Sequence, residues 1–94
     1  MNETEMKLIK QLRKVISLLQ KRLEMEPNKL ILKTLYERYT KAEIIISNNM
    51  NTEDIMIEGG CRAYIDSFSD YSNSILVEMN YAEELLQKIK GIDR

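Results

Sequence analysis

The chain has 94 residues, 44% of them hydrophobic and 31% charged, with a formal net charge of −1, one cysteine and no histidine. That length makes one domain, and the composition is that of an ordinary folded domain and excludes a disordered tail. A lone thiol without histidine excludes an internal disulfide framework and a Cys/His zinc site.

An unpaired thiol is most at home in a reducing compartment, so the expected location is the cytoplasm. The opening "MNETEMKLIKQLRK" lacks the apolar core and small-residue cleavage site of an export signal. The longest aliphatic run, Ile44-Ile45-Ile46, is far too short to span a bilayer, so no membrane partner is expected. The charge is unevenly spread: residues 1–52 hold ten basic and six acidic side chains, and residues 53–94 hold four and nine. Either the two halves face each other and their fields cancel, or the basic half faces a partner.

The first predicted element is a helix over about 3–25. Asn2, Glu3, Thr4 and Glu5 supply a cap and carboxylates for the positive end of the dipole. Ile9, Leu12, Ile16, Leu19 and Leu23 then recur in steps of three and four, with Leu8 and Val15 beside them. Pro27 ends the element, because the residue before a proline is pushed out of helical geometry.

A second helix is predicted over about 28–48, with Pro27 at its first position. Its seam is Leu32, Leu35, Tyr39, Ala42 and Ile46, flanked by Ile31, Tyr36 and Ile45. The run "SNNMNT" stops it, and Asn51 or Thr52 caps the next element. So short a connection between the two helices at Pro27 implies an antiparallel hairpin.

A short helix is expected over about 52–58 and a long third helix over about 61–90, with a kink or break at Gly59-Gly60. Two adjacent glycines cost a helix about 2 kcal/mol relative to alanine, which is tolerable where the chain bends. From Cys61 the positions Ile65, Phe68, Ser72, Ile75, Met79, Ala82, Leu86 and Ile89 keep heptad spacing. The cluster "DSFSDYSNS" opposes helix by propensity, and a β-hairpin pairing "AYIDSFSD" with "ILVEMNY" is the rival. Lys88 and Lys90 suit the end of the dipole, and Gly91 terminates the element. The predicted fold is all-α and single-domain over residues 1–94: a helical hairpin plus a long third helix, a three- to four-helix bundle completed by dimerisation.

No chemistry-bearing constellation emerges. "EGGCRAYIDSF" has neither the spacing nor the preceding strand of a phosphate cradle. Cys61 has no histidine to activate it and falls on the seam, so a packed thiol is expected. Asp66 and Asp70 lie one turn apart, which more often marks a solvated face than a metal site. Tyr36 and Tyr39, like Tyr64, Phe68 and Tyr71, are expected to pack their rings while the tyrosine hydroxyls reach out. No catalytic residue, cofactor or metal is assigned, and an enzyme is not expected.

What remains is binding. A third helix of about 45 Å outruns the hairpin, leaving apolar side chains for another polypeptide to cover. The candidate interface is Tyr64, Phe68, Tyr71, Ile75, Leu76, Met79, Leu86 and Ile89. The expected function is a small interaction or regulatory protein, a homodimer that also meets an unidentified protein partner. The alternative is a nucleic-acid-associated protein using Lys7, Lys10, Arg13, Lys14 and Lys21 of helix 1, a run without acids that could neutralise phosphates.

Overall fold

The computed structural model describes residues 3–48, 51–68 and 74–91, and these residues form helices and no strand. Helix α1 spans Glu3–Met25 and α2 spans Leu30–Ser47; a 3-10 turn covers Thr52–Asp54; α3 is Gly60–Phe68 and α4 is Ser74–Lys90. The all-α class and the multi-helix plan match the periodicity.

The hairpin α1–α2 forms as expected, with one shift. Glu26 accepts the N–H of Lys29 at 3.2 Å, closing a turn around Pro27-Asn28. Pro27 therefore serves as the second residue of a β-turn, where its fixed φ also fits, and α2 begins later than 28. Beyond α2, the Asn48 side chain and N–H both return to the Ile44 carbonyl, at 2.8 and 3.2 Å.

The helix expected over 52–58 is only a single 3-10 turn, capped by Asn51, whose side chain accepts the Glu53 N–H at 3.0 Å. The chain then extends, with Ile55 and Ile57 fully buried and Met56 pointing out. A helix would set residues two apart on opposite faces; extended backbone puts both isoleucines on one side.

The break at the glycines is present, and the two residues do different things. Gly59 takes φ +85, a left-handed conformation that side chains resist. Gly60 opens α3, and a Cβ there would stand 3.1 Å from Met79 Cε and 3.3 Å from Leu35 Cδ2. It lets α3 approach both α2 and α4.

The continuous rod over 61–90 does not exist. It would be about 45 Å long, yet the longest extent of the molecule is 36 Å. Instead α4 folds back on α3, so that Glu83 reaches the backbone of Cys61 at 3.1 Å. Of the serine, aspartate and asparagine cluster that opposes helix by propensity, Ser69 to Asn73, including Asp70, lie outside the described residues.

Helix α1 packs between α2 and α4, while α3 bridges α2 and α4. The core takes Leu8, Leu12, Val15 and Leu19 from α1, all five seam positions of α2 with Ile45, and Ile75, Met79, Ala82, Leu85 and Leu86 from α4. The α1 seam is rotated from the expected one: Ile9, Ile16 and Leu23 are only half-buried. Gln11 sits within this apolar row, and its amide donates to the Glu78 carbonyl at 2.9 Å and to the Glu78 carboxylate at 2.7 Å. That pairing satisfies a buried polar group and fixes the register of α1 on α4.

Candidate functional site

The fold-back reassigns the predicted interface. Tyr64, Ile75, Met79 and Leu86 are buried in the chain's own core, and Leu76 and Ile89 pack half-buried against it. Tyr71 and the side chain of Phe68 lie outside the described residues. Side chains that a straight rod would have left bare are covered by α1, α2 and α3 of the same chain, which removes the overhang as a reason for dimerisation.

The outward side of α4 carries other apolar residues. Val77 is 61% exposed and Tyr81 45%, one helical turn apart. Beside Val77, a depression of ≈ 310 Å³ opens between α3 and α4, lined by Cys61, Ile65, Leu76, Val77 and Asn80. Its lining holds one ionisable group, Cys61, and that group is held neutral. Burial is the main cause pushing the thiol up to about 12, and the Glu83 carboxylate beside it adds to the shift. The thiol lies 3.8 Å from the Leu76 carbonyl. A nucleophile needs the opposite environment, one that favours thiolate. The structure thus places Cys61 as a packed thiol at the edge of an uncharged hollow.

Glu83 stands beside Cys61. Its carboxylate accepts N–H groups of Gly59 at 3.3 Å and Cys61 at 3.1 Å, capping α3 from another helix. Tyr39 lies in the same region, its phenol held above the ordinary value by burial first and then by the Glu83 carboxylate. Its hydroxyl is fully enclosed with no hydrogen-bond partner among the described residues. The expectation that this hydroxyl reaches out to solvent is therefore overturned.

The cationic face of α1 is partly neutralised from within. Arg13 meets Glu43 at 3.0 Å, and Lys14 meets Glu78 at 3.3 Å. Lys7 lies 3.7 Å from Glu3, a solvent-exposed pair of little energetic weight. Among the described residues Lys10 and Lys21 have no ion-pair partner. Glu43 and Glu78 are held below the usual carboxylate range, Glu43 by the Ser47 hydroxyl and then Arg13, Glu78 by the Gln11 amide and then Lys14. The Lys14–Glu78 pair joins the basic half to the acidic half, as the cancelling-fields reading expects. A second depression, ≈ 320 Å³, lies where α1 begins and α2 ends, lined by Met6, Ile9, Lys10, Arg13 and Ser47.

Residues missed in the sequence are those whose partners are remote. Lys90, read as a dipole-matching lysine, instead runs inward with its side chain 9% exposed, reaching Glu58 at 3.0 Å and the Ile55 carbonyl at 3.2 Å. Nothing local pairs position 90 with 55 or 83 with 61. Gln11 did carry a signal, a long polar side chain in a row with Leu8, Leu12 and Val15.

No helix among the described residues is long and apolar enough to cross a membrane. No curated protein and no solved structure matches the chain. One family model does, described as "YeeD uncharacterised protein", over residues 2–92. With nearly the whole sequence matched, the chain belongs to the YeeD family.

Proposed function

We propose that this chain is a small non-enzymatic interaction protein that docks an apolar segment of a partner protein on its α3–α4 face. The observation that carries this reading is the uncharged hollow edged by Val77 and continued by exposed Tyr81. Aliphatic floor, a neutral thiol and an aromatic neighbour suit the apolar stripe of a partner helix, for which burial and shape supply the affinity. The raised thiol further supports a binding role over a catalytic one. Nucleic acid is the less supported partner, since three of its five candidate cations already stand in ion pairs, Lys7 only in an exposed one.

A photocrosslinking residue at Val77 tests the reading in the native cell. The expected result is one discrete protein adduct that disappears when Tyr81 is also changed to Glu, and that is absent when the probe sits at exposed Glu24. Equal labelling from Val77 and Glu24 removes the reading. Parallel titration with DNA and RNA at about 50 and about 200 mM salt decides the alternative: salt-steep binding lost on Lys10→Glu with Lys21→Glu moves the function to nucleic acid.

A further inference from the structure

The hollow between α1 and α2 and the extended stretch after the 3-10 turn complement each other. The hollow has an apolar floor, exposed Met6 and half-buried Ile9, and Lys10 and Arg13 stand in its lining. Glu43 ties down the Arg13 guanidinium through both Nε and a terminal nitrogen, at 3.2 and 3.0 Å, so that cation is held in place beside the hollow. Ile44, exposed, lies one turn before Ser47 and extends the apolar area.

Met56 has the reverse character. It is 65% exposed, and its neighbours Ile55 and Ile57 are both fully buried. Those two anchors, together with the Lys90 bond to the Ile55 carbonyl, hold the backbone so that Met56 projects outward. Exposed Glu53 and Asp54 precede it and Glu58 comes after. An unbranched thioether among carboxylates fits an irregular apolar hollow set between cations, because methionine adapts to gaps that branched side chains do not fill.

Met56 takes no part in lining its own chain's hollow. We infer that the α1–α2 hollow receives Met56 of a second copy of this chain, with Glu53 and Asp54 of that copy set against Lys10, the cation of the lining without an ion-pair partner among the described residues. The inference rests on the reading of the chain as an interaction protein, and it assigns self-association to a face different from the Val77 face. Knob and socket are different patches. A twofold arrangement closes when both copies insert reciprocally, and a non-reciprocal one grows with concentration. Either way the contact is small and charge-assisted, so it is weak and salt-sensitive.

Sedimentation velocity of the full chain, from about 10 µM to about 1 mM at about 50 and 300 mM salt, tests this. Mass is expected to rise with concentration and to rise less at high salt. Met56→Lys and Lys10→Glu, both at exposed positions, should each weaken association at least about tenfold. Mixing the Lys10→Glu protein with an Asp54→Lys protein should restore mixed complexes, while Val77→Glu should leave self-association unchanged. Circular dichroism of each variant confirms that it folds. A monomer throughout the range overturns the inference, and so does association indifferent to Met56 and Lys10. Neither result touches the adduct at Val77, so the two proposals fail separately.

Discussion

The Glu83 carboxylate stands 3.1 Å from the backbone N–H of Cys61, so α4 supplies the cap that α3 lacks in its own sequence. Gly59, just before the first helical residue, has no side chain to offer. Glu83→Ala leaves two N–H groups of the α3 start without an acceptor and should lower stability by about 1–2 kcal/mol. Glu83→Gln retains one acceptor oxygen and should fall between. Urea unfolding of the three proteins measures this, and equal midpoints for wild type and Glu83→Ala would show that the cap contributes nothing.

Cys61 should be a slow thiol. With its pKa pushed up to about 12, the thiolate fraction near neutral pH is small, and alkylation should run about a hundredfold or more below that of an unfolded peptide thiol. Because the neutral form is favoured in the fold, stability is full below the ordinary thiol range and declines as pH rises through it towards the folded value. Iodoacetamide kinetics at about pH 8, with and without denaturant, give the ratio. Matching rates would refute the buried, carboxylate-flanked setting.

Tyr39 presents an enclosed hydroxyl without a hydrogen-bond partner among the described residues. Tyr39→Phe removes that oxygen and keeps the ring in the core, so stability should hold or rise by about 1 kcal/mol. Thermal unfolding is the measure. A loss of similar size would mean that the hydroxyl does find an acceptor in solution.

Acid should loosen the α1 contacts first. Glu43 and Glu78 have folded pKa values below the ordinary 4.5, through Ser47 with Arg13 and through Gln11 with Lys14. Such groups stabilise the fold above the ordinary value, and that contribution is lost as pH falls through the lower, folded value. Their cationic partners are largely exposed, Arg13 by 65% and Lys14 by 60% of the side chain, so the effect is modest. Melting temperatures from about pH 7 to about pH 3 should show a decline confined to the acid end, and Glu78→Gln should flatten part of it. An unchanged acid slope in that variant would remove Glu78 from the account.

The helices were legible where burial is local. The α2 row from Leu32 to Ile46 and the α4 row from Ile75 to Leu86 are buried as the three-four stepping predicts. The stop before Pro27 and the break at Gly59 also reflect backbone restrictions that a residue carries alone. The reversal between α3 and α4 was not legible from the row, because Phe68, Ser72 and Ile75 keep phase whether or not the helix is continuous. The predicted interface failed for a related reason: an apolar stripe reads alike whether its cover is the same chain or another, and Met79 and Leu86 found theirs at home. Glu83 and Lys90 act on residues 22 and 35 positions away, a separation at which sequence spacing says nothing.

The Lys90 strap has a consequence for synthesis. A ribosome releases the α1–α2 hairpin long before it makes the last turn of α4, yet the stretch at Ile55 is tethered by that last turn. One flank of α1 likewise waits, uncovered, for the residues around Glu78. The native arrangement therefore closes only once the last turn of α4 has emerged, and a nascent chain stalled before α4 is made presents Leu8, Leu12 and Val15 to whatever chaperone is at hand.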